Sequence, residues 1–267
     1  MANFFSIRKD IYKHNLSLQG DNLINIKYPY SSIKGIYYME TASIFLFLTQ
    51  KIIKSANFVT VLYILTGVFG AFLVIFSPHN FFFYLGLFMI FTKGTFDWAD
   101  GALARRLNKT SFLGHALDVY GADMCDAAFQ MAFIFYTISY YYPEHMLLFP
   151  LFAFVLLITK FNMFSDVLYY KSIRDDHTIK DKKKNNFEEN VRKGKKMKKI
   201  TKLYNIYTSF LDARARSTDF LVLILLIDGI SDVDINFLLL ILSALIILRA
   251  IVEYVATTYL AFQNYRN

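Results

Sequence analysis

The sequence predicts an all-α integral membrane protein with six transmembrane helices. Three observations lead there. The 267 residues are 55% apolar and 18% aromatic with only 4 prolines, and several apolar runs approach the roughly 20 residues needed to cross a hydrocarbon core. No alternating pattern of strand type stands out. The positive charge is segregated as well: 13 of the 29 Lys and Arg residues lie between Lys171 and Lys202, and most of the others flank apolar runs. A net charge of +8 arranged in this way fits a cytoplasmic membrane face and not a nucleic-acid surface.

Residues 1–42 form an N-terminal extension of unassigned role. Residues 1–38 are mixed and polar, without the continuous apolar core of a secretory signal. Between Ser43 and Lys54, Ile44, Phe45, Leu48 and Ile52 fall at helical spacing. That pattern predicts an interfacial amphipathic helix or a short extension of the first span. Residues 43–267 read as one membrane domain. Spans are predicted at Asn57–Phe76, Asn80–Phe96, Phe112–Tyr140, His145–Tyr169, Ser209–Ile227 and Ile235–Phe262. The loops Ser77–Asn80, Tyr141–His145 and Asp228–Asn236 carry no Lys or Arg, whereas the alternate loops carry nearly all of it, including a basic loop at 171–203. Both termini are therefore expected in the cytoplasm. Cys125 is the sole cysteine, which excludes an intrachain disulfide.

Four carboxylates fall within 27 residues at the junction of two apolar runs: Asp97, Asp100, Asp118 and Asp123. Acidic side chains beside hydrocarbon need a partner for their charge, and a divalent cation is the simplest one. Asp97 and Asp100, three apart, lie one helical turn from each other and can share a small hard cation. Gly101 and Ala104 leave room for a bulky ligand, and Arg105 offers a planar fork for phosphate oxygens. Ser111 adds a hydroxyl at the turn between helices, and Gly114 lets the next helix pack closely. Together these describe a pocket for a metal-bound diphosphate, with a spare carboxylate to accept a proton.

The run Asp97-x2-Asp100-Gly101-x2-Ala104-Arg105-x8-Gly114-x3-Asp118 resembles the signature of the CDP-alcohol phosphotransferase (CDP-alcohol phosphatidyltransferase) family. The match is without a gap over these 22 residues, and the six-span layout extends it loosely over 50–262. The resemblance implies a reaction in phospholipid biosynthesis. A CDP-alcohol donor, often CDP-diacylglycerol, binds at two divalent ions (Mg²⁺ or Mn²⁺), a hydroxyl acceptor attacks, and CMP leaves. It also implies a homodimer. Carried over, Asp97, Asp100 and Asp118 are metal ligands, and Gly101, Arg105 and Ser111 contact the CDP moiety. Ser55 and Asn57 stand where the family has a short nucleotide-touching segment, with Ala56 in place of its usual proline.

The family's last aspartate falls at Ala122, and Asp123 comes one position late. A four-residue step on an α-helix rotates about 40°, a five-residue step about 140°. An inserted residue absorbed by a π-bulge near Asp118–Ala122 would return Asp123 to the site as metal ligand and catalytic base. Without it the base is missing, and the chain is an impaired CDP-lipid-binding homologue.

Arg249 lies midway along the last span with Glu253 one turn on, either as an internal pair or as part of an acceptor pocket. Asp212, Arg216 and Asp219 share one polar face at the start of the fifth span. Arg216 and Arg249, with Lys171 behind them, are the acceptor-pocket candidates. They favour a polyol phosphate such as inositol phosphate or glycerol phosphate over a neutral alcohol, an amino alcohol or serine. His115 reads as a packing residue. A cation transporter would carry acidic residues near the midplane of several spans, and these gather at one cytoplasmic edge.

Overall fold

The computed structural model describes residues 3–19, 29–161, 218–231 and 233–266. Among these the chain is helical throughout, without a strand. In order the helices are α1 (Phe4–Gln19), α2 (Pro29–Thr49), α3 (Ala56–Phe76), α4 (Phe81–Thr92), α5 (Gly94–Arg106), α6 (Phe112–Tyr141), a 3-10 segment (Pro143–Leu148), α7 (Phe149–Lys160), α8 (Phe220–Ile230) and α9 (Asn236–Arg266). Three stretches are long and apolar enough to cross a membrane: Ala56–Phe76, Pro143–Lys160 and Asn236–Val255. Phe220–Ile230 is a shorter apolar helix.

Two sequence expectations need correction. The second span, expected as one helix over Asn80–Phe96, is split at Lys93 into α4 and α5. There Phe96 N bonds Lys93 O three residues back, and the Phe91 carbonyl accepts the Tyr38 hydroxyl at 3.0 Å. Residues 1–42, given no role from the sequence, supply α1 and most of α2. Of residues 43–54, expected as an interfacial helix or a short extension of the first span, 43–49 complete α2, which begins at Pro29 and ends at Thr49.

Helix α6 is the centre of the bundle. Phe129, Phe133 and Tyr136 pack with Val74 of α3, Leu87 of α4, Leu225 of α8 and Leu239 of α9. Apolar side chains gain little from leaving lipid for protein, so close approach of backbones is what joins membrane helices. Small residues permit it here. A Cβ on Gly67 would stand 2.3 Å from Cys125 Sγ, and one on Gly121 would stand 2.7 Å from Ile64 Cγ1. Both bring α3 against α6. At the end away from Asp97, Asp228 accepts the Tyr141 hydroxyl at 2.6 Å and the Tyr136 hydroxyl as well. Tyr136 also meets His79 Nε2 at 2.7 Å. These bonds tie the α3–α4 turn, α6 and α8 together.

Helices α1 and α2 form a second core against α5. Ile7 and Ile11 of α1 pack with Met39, Ala42 and Leu46 of α2, Val59 of α3, and Ala99 and Ala102 of α5. Arg8 donates to Glu40 at 2.9 Å across this pair. Helix α2 also reaches the start of α8: the buried Lys34 lies 2.9 Å from Asp219, beneath the Phe91 ring at 3.1 Å. Asp219, expected on one polar face with Asp212 and Arg216, therefore pairs with the N-terminal extension.

Candidate active site

Helix α5 carries the signature and ends cleanly. Lys109 N returns to Ala104 O at 2.9 Å, and Asn108 takes the left-handed conformation (φ 52°) that asparagine tolerates better than most residues. Helix α6 then starts on Ser111, whose hydroxyl accepts from Gly114 N at 3.0 Å. The turn between them closes a cavity of about 280 Å³ against the first turns of α3. Its wall includes Asn57, Thr60, Asp100, Arg105, Ser111 and Asp118. Gly101 belongs to the same wall, and a Cβ there would meet the Arg105 guanidinium at 3.2 Å. Its missing side chain lets Arg105 fold back over α5.

The carboxylates face one another across α5 and α6. Asp97 stands close enough to Asp118 for each to feel the other's charge. Asp100 accepts the Thr60 hydroxyl at 2.6 Å. Burial, with the Asp118 charge second, pushes Asp97 up to about 8. Burial pushes Asp100 up to about 7 against the opposing bond from Thr60. Crowded, desolvated carboxylates of this kind gain from a divalent cation, which holds them ionised. Among the described residues no three Asp, Glu, His or Cys side chains are gathered closely enough to hold an ion. The donor set thus fits an oxygen-seeking cation in its chemistry, and its geometry is not closed around one.

The structure does not gather every predicted residue. Ser55 is the exposed N-cap of α3, makes no capping bond, and is outside the cavity wall. The π-bulge is absent: α6 is α-helical from Phe112 to Tyr141. The five-residue step therefore turns Asp123, which is half-buried, about 140° from Asp118. Arg249 bonds Glu253 at 2.6 Å, with both side chains about half exposed, and does not line this cavity. Arg216, Asp212 and Lys171 lie outside the described residues.

Sequence reasoning passed over three contributors. Thr60, three residues after Asn57, bonds Asp100. His115, expected to pack, is exposed and lines the cavity. Lys93, buried at the α4–α5 break, pairs with Asp126 of α6 at 3.3 Å and sends its charge toward Asp97. A lysine at the end of an apolar run, four residues before the signature's first aspartate, was the available signal for the last of these.

The sequence model of the CDP-alcohol phosphatidyltransferase family matches residues 53–227, more than half of the chain. The chain belongs to this family. Family members are transferases of phosphate-containing groups and are generally dependent on divalent metals. Together with the apolar helices, membership makes this a membrane protein and a transferase. No curated protein and no solved structure matches it. The matched region begins after α2, so α1 and α2 stand outside it.

Proposed function

We propose that the chain transfers a phosphatidyl or related phospho-alcohol group from a CDP-alcohol to a hydroxyl acceptor and releases CMP. CDP-diacylglycerol is the proposed donor and a polyol phosphate the proposed acceptor, with a neutral alcohol, an amino alcohol or serine as the alternative. The observation that carries this reading is the cavity between α3, α5 and α6, in which Asp100 and Asp118 meet Arg105, Ser111 and Asn57. Carboxylates for a cation and a guanidinium for phosphate oxygens in one crevice are what a metal-bound diphosphate requires.

In this reading Asp97, Asp100 and Asp118 would hold Mg²⁺ or Mn²⁺, two ions in all, which would neutralise the diphosphate and polarise the attacked phosphorus. Thr60 orients the Asp100 carboxylate. Arg105, shelved over Gly101, binds phosphate oxygens. Asn57 and Ser111 border the space left for the nucleotide, and Arg216, Lys171 and Arg249 stay as acceptor-pocket candidates. Six spans with both termini and the site on the cytoplasmic face, and a homodimer, complete the proposal. The unbroken helix at Asp118–Ala122 favours a second reading of one detail. Asp123 serves as proton acceptor only if α6 changes register when substrate binds; otherwise turnover is slow and the chain chiefly binds CDP-lipid.

The test is CMP release by the purified protein with CDP-diacylglycerol, Mn²⁺ and a panel of acceptors. Release that depends on Mn²⁺ and on one acceptor class, and that Asp97→Asn abolishes, is expected. Full turnover in Asp97→Asn, Asp100→Asn and Asp118→Asn would overturn the assignment.

A further inference from the structure

A second cavity lies on the other side of Arg105. It measures about 430 Å³, within the range of small-molecule sites. Helix α1 supplies Ile7, Ile11, Asp10 and His14, α2 supplies Leu46, and α5 supplies Ala102, Arg105 and Arg106. The wall is thus partly apolar and partly basic. Arg105 borders both this cavity and the one that holds Asp100. Most of its wall comes from α1 and α2, outside the matched family region.

We propose that this cavity is a phosphate-binding site, separate from the donor cavity, that takes the phosphate group of an anionic ligand on Arg106 and His14, with the charge of Arg105 standing between the two cavities. The charge balance favours an anion. Two guanidinium groups face a single carboxylate, Asp10, which lies 4.0 Å from Arg106 Nε and is more than half exposed. A pair that long and that solvated is readily exchanged for a phosphate oxygen. Among the described residues Arg105 makes no ion pair within 4.0 Å. The C-terminus of α5 opposes an anion with about half a negative charge, and two full positive charges outweigh it. Guanidinium groups suit phosphate because they offer parallel N–H donors.

The site's position bears on where the phosphate comes from. Leu46 belongs to the end of α2, where Phe47 and Leu48 are exposed, and exposed Ile52 follows in the turn before α3. Phe4 of α1 meets Phe47 there, ring centroids 5.8 Å apart. The cavity wall thus includes the end of α2 that leads into α3, a helix long and apolar enough to cross a membrane. Free phosphate and a phospholipid headgroup present the same chemistry, and the experiment separates them.

The full-length protein in neutral detergent is titrated with inorganic phosphate, and thermal unfolding is followed. In parallel, nanodiscs of zwitterionic lipid are compared with nanodiscs containing an anionic phospholipid, with no free phosphate. The wild type should be stabilised in at least one arm. Arg106→Gln and His14→Gln should each raise the half-saturating concentration about tenfold, as loss of a charge-assisted contact does. Asp10→Asn should lower it, because it removes the competing carboxylate, and it provides an independent reading should Arg106→Gln fold poorly. Stabilisation confined to the lipid arm assigns a headgroup site, and stabilisation in the phosphate arm assigns a site for the free ion as well. Half-saturation unchanged in all three variants means that phosphate occupies the donor cavity alone, and it overturns the proposal. None of these readouts needs turnover. The transferase reading can fail with this site intact, and this site can fail with the transferase reading intact.

Discussion

The Thr60 hydroxyl donates to Asp100 Oδ2 at 2.6 Å and joins the first turn of α3 to the signature helix α5. Both residues are buried. One oxygen of Asp100 is thereby fixed before any ligand arrives. Thr60→Val keeps the shape and removes the donor. A hydrogen bond to a charged group is worth about 1.5–3 kcal/mol, so the half-saturating Mn²⁺ concentration in CMP release should rise roughly tenfold or more. Thr60→Ser should retain most of the wild-type value.

Asp123→Asn separates the two readings of the shifted carboxylate. If Asp123 accepts the acceptor's proton, the variant loses about 10²–10⁴-fold in rate while CMP binding is kept. If α6 stays regular during the reaction, as it is over Phe112–Tyr141, the rate changes little. Ala122→Asp, which restores a carboxylate four residues after Asp118, then raises it.

Chelation provides a third measurement. With EDTA, CMP release should cease, and Mn²⁺ or Mg²⁺ should restore it. The wild type should gain thermal stability from Mn²⁺ in the absence of substrate, because the cation relieves the crowding of Asp97, Asp100 and Asp118. Asp118→Asn should lose that gain.

Gly67 is where α3 touches α6 most closely. A Cβ there would lie 2.3 Å from Cys125 Sγ and 2.9 Å from its Cβ. Gly67→Ala should destabilise the protein by about 1–3 kcal/mol, the usual cost of overpacking. Adding Cys125→Gly should recover part of the loss in a thermal unfolding assay, because it removes both opposing atoms.

The docking of α1 on α2 should weaken in acid. Arg8 Nε lies 2.9 Å from each Glu40 oxygen, and the Tyr12 hydroxyl bonds the same carboxylate. The bond from Arg8, more than any other contact, holds Glu40 below the ordinary value of 4.5. A group depressed on folding adds stability that is complete above its unfolded pKa and is lost as pH falls through its folded one. Hydrogen exchange in α1 should therefore be flat from neutral pH down to about 4.5 and then increase. Glu40→Gln should remove that step.

Much of the site was legible in the chain because its residues are consecutive. Asp97, Asp100, Gly101 and Arg105 fall within two and a half helical turns, and helical geometry alone puts them on adjoining faces. Ser111 and Gly114 were legible for the same reason. Asp123 was legible only as a problem: the one-residue delay is plain in the sequence, and whether the helix absorbs it depends on the backbone. The partners of these residues were out of reach. Thr60 is 40 residues from Asp100, and Lys93 is 33 from Asp126.

The sequence by itself determined that the protein is helical, apolar enough for a membrane, and built around an acidic signature, because local periodicity and composition set these properties. Tertiary structure alone decided that Asp219 pairs with Lys34, that Thr60 bonds Asp100, and that α1 and α2 wall a second cavity beside Arg105. Each of these depends on which helix lies against which, and no spacing along a single helix encodes that.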